Sequence, residues 1–357
     1  DGAEAAGCSV RLRFRTAKDN ADSVMVVTDC VRAEMQKSFS ERNFDYYETV
    51  LHYPECGTNY YFEIAGIGTN EERITAVYNK RSAMDRAQDY YNFKFYPDFK
   101  TPDWAKGAVF YQIFTDRFCN GDPSNDVLDH EYSYVKLHSE QEKDWGAYPH
   151  NMDVCHFYGG DLQGIMDKLD YLQDLGVEVL YLNPIFVSPS NHKYDIQDYD
   201  YVDPHFGRIV DDEGDVLVEG DMDNRHAGRY IRRVTNKKNL EASNEFFIQF
   251  VEEVHRRGMK VILDGVFNHC GSFNKWMDRE RIYEGQEDYE PGAYVDEKSP
   301  YRSFFKFFSE NWPYNKDYDG WWGHDTLPKL NYEDSESLCD YILRIGQKWV
   351  SPPYNTD

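Results

Sequence analysis

At 357 residues the chain is long enough for two domains, and with 41% hydrophobic residues it can build real cores. Its 64 acidic against 39 basic residues leave a formal charge of -25, which repels phosphate backbones and removes nucleic acid and anionic membranes from the expected partners. No apolar run approaches membrane-spanning length, so no membrane role is expected.

Residues 1–100 read as all-β. "SVRLRFRTA" (9–17) alternates apolar and polar side chains, and "SVMVVTD" (23–29) is a short buried strand. "YYETVLHY" (46–53) and "NYYFEIAG" (59–66) are expected to pair as a hairpin across "PECGT". "FYPDFKTPDWAKG" (Phe95–Gly107), with two Pro and a Gly, then reads as a linker. The expected domains are 1–100 and 101–357.

From Ala108 the pattern becomes strand, loop, helix. "AVFYQIF" is a strand, and it runs into Asn120–Asp126, a stretch dense in amide and carboxylate oxygens. Asn, Gly, Asp and Pro make surface turns, but oxygen donors on a short irregular loop also suit a hard cation such as calcium. "LQGIMDKLDYLQDLG" (162–176) places Leu162, Ile165, Met166, Leu169 and Leu172 at helical spacing, with Gly176 as its stop. "VEVLYLNPIF" (177–186) is a second buried strand. "NEFFIQFVEEVHRRG" (244–258) repeats the helical period, and "KVILDGVFNH" (260–269) follows as a third strand.

Strand and helix in alternation imply a parallel sheet covered by helices, either a (β/α) barrel or an open doubly wound sheet. The chain has no glycine-rich phosphate loop, which lowers the nucleotide-binding alternative. Residues 211–223 carry seven acids and no base, and residues 225–238 carry six bases and no acid. That insertion is expected to be a solvated hairpin pairing its own charges, without chemistry.

In a parallel barrel the active site lies at the carboxyl ends of the strands, and three such ends are polar. The third strand ends in "DGVFNH", presenting Asp264, Asn268 and His269. The second leads to His192, Tyr194 and Asp195, and the first to the Asn/Asp loop. A lone Asp at a strand end more often caps a loop, and a lone His is usually a satisfied polar residue. Three polar strand ends at one edge point instead to an active-site edge.

These segments resemble the α-amylase family, glycoside hydrolase family 13, and within it the neopullulanase, cyclomaltodextrinase and maltogenic amylase group. "GVEVLYLNPIF" (176–186), "HKYDIQDY" (192–199), "VDPHFG" (202–207), "DGVFNH" (264–269) and "LPKLN" (327–331) fall in family order. "NGDPSND" followed by "FYGGDL" is similar to this group's calcium loop. The resemblance covers about residues 104–357. The β-rich region before it is positioned like the group's starch-binding-type module, carbohydrate-binding module family 34. The fold implied is α/β: an N-terminal β-sandwich followed by the first part of a (β/α)8 TIM barrel.

The resemblance implies Ca2+ held by Asn120, Asp122, Asn125, Asp126, Gly159 (through its carbonyl) and Asp161. Six oxygen donors from two loops fit that ion, and Asp161 also suits the N-cap of the next helix. It implies that Tyr194 stacks on the sugar beside the scissile bond. His192 and His269 would hydrogen-bond the sugar hydroxyls, His269 more strongly if protonated, and Asp264 would support the catalytic centre. Trp321 and Trp322 are further stacking candidates. The implied substrate is an α-glucan, with a homodimer through the amino-terminal module also expected.

The family's retaining mechanism needs a nucleophile and an acid/base carboxylate, on the fourth and fifth strands. "KWVSPPYNTD" ends at Asp357 short of both, so the chain is expected to be an inactive fragment of a longer α-glucan hydrolase. The alternative is a non-catalytic relative that binds sugar. Seven cysteines without a C-x-x-C pair suit reduced thiols, and with no signal peptide visible the expected compartment is the cytoplasm.

Overall fold

A computed structural model of the chain describes all residues but 1, 5–6, 53–58, 68–72, 85–90, 98, 152, 310–311, 313–316 and 356–357. It divides into two units, Asp1–Gly107 and Ala108–Asp357.

The first unit contains strands β1 (Gly2–Glu4), β2 (Ser9–Ala17), β3 (Ala21–Thr28), β4 (Arg32–Glu41), β5 (Phe44–His52), β6 (Asn59–Ile67), β7 (Arg73–Asn79), β8 (Ser82–Met84) and β9 (Phe93–Pro97). Strand β4 changes partner in mid-course. Its first half, to Met35, pairs with β3 and its second, from Gln36, with β5, with a register shift at Lys37/Phe39 inside that second ladder. The sheet thereby folds over on itself. Phe14 of β2 meets Phe62 of β6 at 4.6 Å and Tyr78 of β7 at 5.3 Å between ring centroids. Phe14, Val24, Val26, Met35, Tyr47, Leu51 and Phe62 fill the space between the layers, which makes the unit a β-sandwich.

Three expectations are corrected here. Strands β5 and β6 are not a hairpin: β5 pairs with β2 and β4, while β6 pairs with β3, β7 and β9. The turn "PECGT" lies outside the described residues. The competing partner, β4, buries only Met35, so it lacks the alternation that marks a strand. The linker also starts later than Phe95, because β9 runs to Pro97. Finally, Cys30 is disulfide-bonded, while Cys8, Cys119, Cys155, Cys270 and Cys339 are free. The chain has no C-x-x-C spacing that would have marked this bond.

In the second unit β10 (Phe110–Ile113) is followed by the short strands β11 (Ser133–Tyr134), β12 (Leu137–His138), β13 (Glu140–Gln141) and β14 (His156–Phe157). Then come α1 (Leu162–Asp167), α2 (Leu169–Asp174), β15 (Val179–Leu182), β16 (Phe186–Val187), β17 (Asp198–Val202), α3 (Gly228–Thr235), α4 (Lys237–Arg256), β18 (Lys260–Leu263) and α5 (Glu336–Trp349). Strands β10, β15 and β18 form a parallel sheet in that order, with Tyr181 opposite Ile262. This is the first part of a (β/α) barrel. The single helix expected over 162–176 is two, broken at Lys168 (φ -101, ψ 4). Helix α4 begins at Lys237, before the expected Asn244, because the Asn236 side chain caps it by accepting from Lys238 N. Its Phe246, Phe247, Phe250, Val251 and Val254 join the main core.

The insertion at 211–238 is not a hairpin. It is an irregular loop followed by helix α3, and it does pair its own charges: Asp211 with Arg232, Asp212 with Arg233, Asp223 with Arg225. Arg233, 1% exposed, reaches further, donating to Glu131 Oε2 and the Asp126 carbonyl at 2.8 Å each. Glu131 Oε1 meets His205 Nε2 at 2.8 Å, His205 Nδ1 meets Asp203 Oδ1 at 2.8 Å, and Asp203 Oδ2 takes Lys193 Nζ at 2.7 Å. Breaking a buried pair of this kind leaves an uncompensated charge and costs about 3 kcal/mol or more. Arg233→Ala should therefore lower folding stability by about 3 kcal/mol, read as the midpoint of urea unfolding. An unchanged midpoint would mean that solvent or protonation compensates Glu131.

Candidate active-site edge and oxygen-ligand loop

Asp264 follows β18 directly, and its backbone N–H extends the ladder to Leu182 O at 3.2 Å. Its Oδ2 accepts from Tyr181 OH at 3.0 Å and from Tyr194 OH at 2.8 Å. Tyr181 stands opposite Ile262, and Asp264 lies two residues beyond it. Side chains two apart on a strand share a face, so this pairing follows from register. Sequence reading missed Tyr181, although that alternation could have found it. Burial first, and then the Asp264 carboxylate, pushes both phenols above their ordinary range.

His192 Nδ1 accepts from the Tyr194 backbone N–H at 3.1 Å. An N–H can only donate, so the neutral ring carries its proton on Nε2 and can donate it to a hydroxyl. His269 stacks on Trp321, centroids 4.7 Å apart at 15°, and neither of its ring nitrogens has a hydrogen-bond partner. Burial pushes both histidines below their ordinary pKa. Strong donation by a charged His269 is therefore not favoured in this structure. Trp321 lies between His269 and Trp322, which it stacks on at 4.3 Å, and Trp322 is 81% exposed. His192, Tyr194, Asp264, His269 and Tyr181 thus come from the segments around the carboxyl ends of β15 and β18.

The oxygen-rich loop assembles around Asp126. Asn120 Nδ2 donates to Asp126 Oδ1 at 2.8 Å. Asn120 Oδ1 and Asn125 Oδ1 are buried and have no hydrogen-bond partner. Gly159 approaches with φ +79, and a Cβ there would fall 2.5 Å from both Asn120 Nδ2 and Asp126 Oδ1. Burial, with Asp161 and Asp116 nearby, pushes the Asp126 carboxyl up to about 6. Two orphaned amide oxygens and a destabilised carboxylate are what a bound cation would satisfy, so the donor set fits calcium. A cavity of about 320 Å³ lined by Asn120, Asp126, Gly159 and Trp145 adjoins it.

Two of the expected ligands have other partners. The Asp122 carboxylate takes Ser124 N at 3.2 Å and pairs with Arg208. The Asp161 carboxylate takes Gly164 N (2.6 Å), Gly121 N (3.2 Å), Asp122 N (2.8 Å) and Asn125 Nδ2 (3.2 Å). It caps α1, as its position suggested, and at the same time ties the loop to that helix. Asp116, unremarked in the sequence, is buried beneath the loop and accepts from Tyr158 N and Gly159 N.

The description "Alpha amylase, catalytic domain" matches residues 112–218 and 242–355, and "Alpha amylase, N-terminal ig-like domain" matches residues 4–97. Neopullulanase 2 of Thermoactinomyces vulgaris is 33% identical over 88% of this chain and 44% of its own length. The intracellular maltogenic amylase of Bacillus subtilis is 30% identical over 96% of this chain and 50% of its own. Among solved structures, the type III pullulan hydrolase from Thermococcus kodakarensis superposes with a TM-score of 0.54 at 27% identity, over 97% of this chain and 52% of that one. The chain spans half or less of the length of these two curated relatives. With the catalytic-domain match alone running over more than half of its residues, the chain belongs to the α-amylase family.

Proposed function

We propose that the chain is part of an α-glucan hydrolase that acts on starch, maltooligosaccharides, cyclodextrin or pullulan by a retaining two-carboxylate mechanism. The observation that carries this is the convergence of Tyr194, His192, His269 and Asp264 at the sheet's carboxyl edge, in a chain of this family. An aromatic face with a few fixed polar groups is how a protein holds a neutral polyol. Two phenol hydroxyls immobilise the Asp264 carboxylate, and the His192 Nε2–H is left as a donor. Relatives named neopullulanase, maltogenic amylase and cyclomaltodextrinase support the substrate class.

The nucleophile and acid/base carboxylates are proposed to follow Asp357. Residues 1–357 alone should release no reducing sugar from starch, pullulan or cyclodextrin, and the same frame extended through the following strands should. Activity from the short chain would mean that the carboxylate pair lies within it. A long chain that folds and binds maltooligosaccharide without cleaving it would favour the sugar-binding relative.

Within the active protein, Tyr194→Ala should lower turnover on maltooligosaccharides well below Tyr194→Phe. The ring supplies the sugar contact, worth on the order of 1 kcal/mol or about fivefold in rate, while its hydroxyl supplies only one of two bonds to Asp264. Equal losses for Phe and Ala would assign the role to the hydroxyl.

Calcium is proposed at Asn120, Asn125, Asp126 and the Gly159 carbonyl, with Asp161 behind them and Asp122 joining through its free lone pairs. There it would neutralise the buried oxygens and fix the loop. At a hundredfold excess over Kd such an ion adds about 2.7 kcal/mol, so a chelator should lower the melting temperature by several degrees. In Asp126→Ala that chelator effect should vanish. Identical melting curves with and without chelator would leave the loop a hydrogen-bonded turn.

A cytoplasmic home is supported by the relative described as intracellular, and the described residues contain no helix long and apolar enough to cross a membrane. The Cys30 disulfide weighs towards an oxidising compartment. A homodimer through the amino-terminal unit would use apolar side chains that the unit leaves exposed, such as Val50 and Ile74.

A further inference from the structure

Three side chains that the foregoing reading does not use meet where the β12 hairpin faces the acidic loop. One nitrogen each from His130 and His138 and one carboxylate oxygen of Glu219 lie within 4.8 Å of one another. The two imidazoles are stacked, centroids 4.3 Å apart at 27°. His130 Nε2 stands 3.6 Å from Glu219 Oε2, which is beyond hydrogen-bond reach, so neither atom is committed to the other.

The second ring is oriented from behind. His138 Nε2 lies 2.8 Å from the Asp221 carbonyl oxygen. A carbonyl only accepts, so Nε2 carries the proton and Nδ1 keeps its lone pair. An imidazole whose far N–H is held by a backbone carbonyl is oriented as metal-ligating histidines are. The first ring is held by its backbone: His130 N donates to Ser139 O, and His130 O accepts from Leu217 N, both at 2.8 Å. These bonds register the hairpin against the segment that carries Glu219. The His130 side chain is 28% exposed and that of Glu219 89%, so solvent can reach the cluster.

We propose that His130, His138 and Glu219 form a zinc-class divalent metal site. Two imidazoles and one carboxylate, with a position left for water, suit Zn2+. Calcium, which prefers oxygen ligands throughout, is disfavoured. The site shares no ligand with the cluster around Asp126. A metal held there would clamp the exposed tip at 218–220 onto the β11–β12 hairpin, adding three coordinate bonds to the hydrogen bonds that Leu217 and Asp221 make to His130 and His138.

The test is calorimetric titration of the metal-stripped 357-residue chain with zinc chloride in excess calcium chloride. One zinc per chain is expected, with Kd raised at least about tenfold in His138→Ala and in Glu219→Gln. Glu219→Gln changes an exposed side chain and so stays readable if a histidine variant folds poorly. Cobalt substitution separates this site from the free thiols, because nitrogen and oxygen ligands give d–d bands without a thiolate charge-transfer band. The absence of zinc binding, unchanged affinity in Glu219→Gln, or a thiolate band for the bound cobalt would each overturn the proposal.

Discussion

The second unit depends on a run of buried charges: Arg233, Glu131, His205, Asp203 and Lys193, each within 2.8 Å of the next. These five residues come from four separate stretches of chain: α3, the segment after the oxygen-rich loop, "VDPHFG", and the loop bearing His192 and Tyr194. Burial alone would strip the proton from His205, but Glu131 and Asp203 on its two nitrogens hold its pKa above the ordinary value. Asp203 is held well below the carboxylate range against burial by Lys193 and His205. His205 and Asp203 therefore stay charged because their neighbours do. Apolar packing of equal volume could be as stable, but it would not dictate which loop meets which. The ion run favours the observed meeting of loops, because a loop out of place would leave a buried charge alone.

Tyr194 follows Lys193, whose ammonium is anchored on Asp203 and whose backbone N–H donates to Ser190 Oγ at 3.0 Å. Lys193 adopts φ +57, a conformation that a non-glycine residue rarely takes. The strain is offset by those anchors, and its effect is to present His192 and Tyr194 on either side of a bend. The Tyr194 hydroxyl then reaches Asp264 without any strand of its own to hold it. The precision of the sugar-facing edge thus rests on buried electrostatics as much as on the parallel sheet.

Much of this architecture was legible in the sequence because burial leaves a period. Strands β2, β3 and β15 and helix α4 each bury one face or both, β18 is half-buried along its length, and each was located from its apolar spacing. Strand β4 was not, because it lies mostly in solvent and its partners are chosen by long-range geometry. The mispairing of β5 with β6 follows from that omission: with β4 unseen, adjacency in sequence was the remaining guide. At the site, the motifs pointed to Tyr194 and Asp264 but not to their direct bond, nor to Tyr181 as second donor. Charge state was illegible for a different reason. Whether His269 is neutral depends on its burial against Trp321, and whether Asp122 faces a cation or Arg208 depends on a residue 86 positions away.

The oxygen-rich loop is joined to the ion run through one residue. Asp126 gives its carboxylate to the cluster with Asn120 and its carbonyl to Arg233. Arg208, just beyond "VDPHFG", holds Asp122 from the other side. The loop is thus positioned by arginines on two flanks while its centre keeps acceptors with no donor. Such an arrangement repels itself: Asp161 and Asp116 add to burial in raising the proton affinity of Asp126, and no lysine or arginine pairs with the Asp126 carboxylate among the described residues. A cation would satisfy these oxygens together, whereas a proton can relieve Asp126 but not the two amide oxygens. The arginines would then define where the loop lies, and the cation would let it stay charged there.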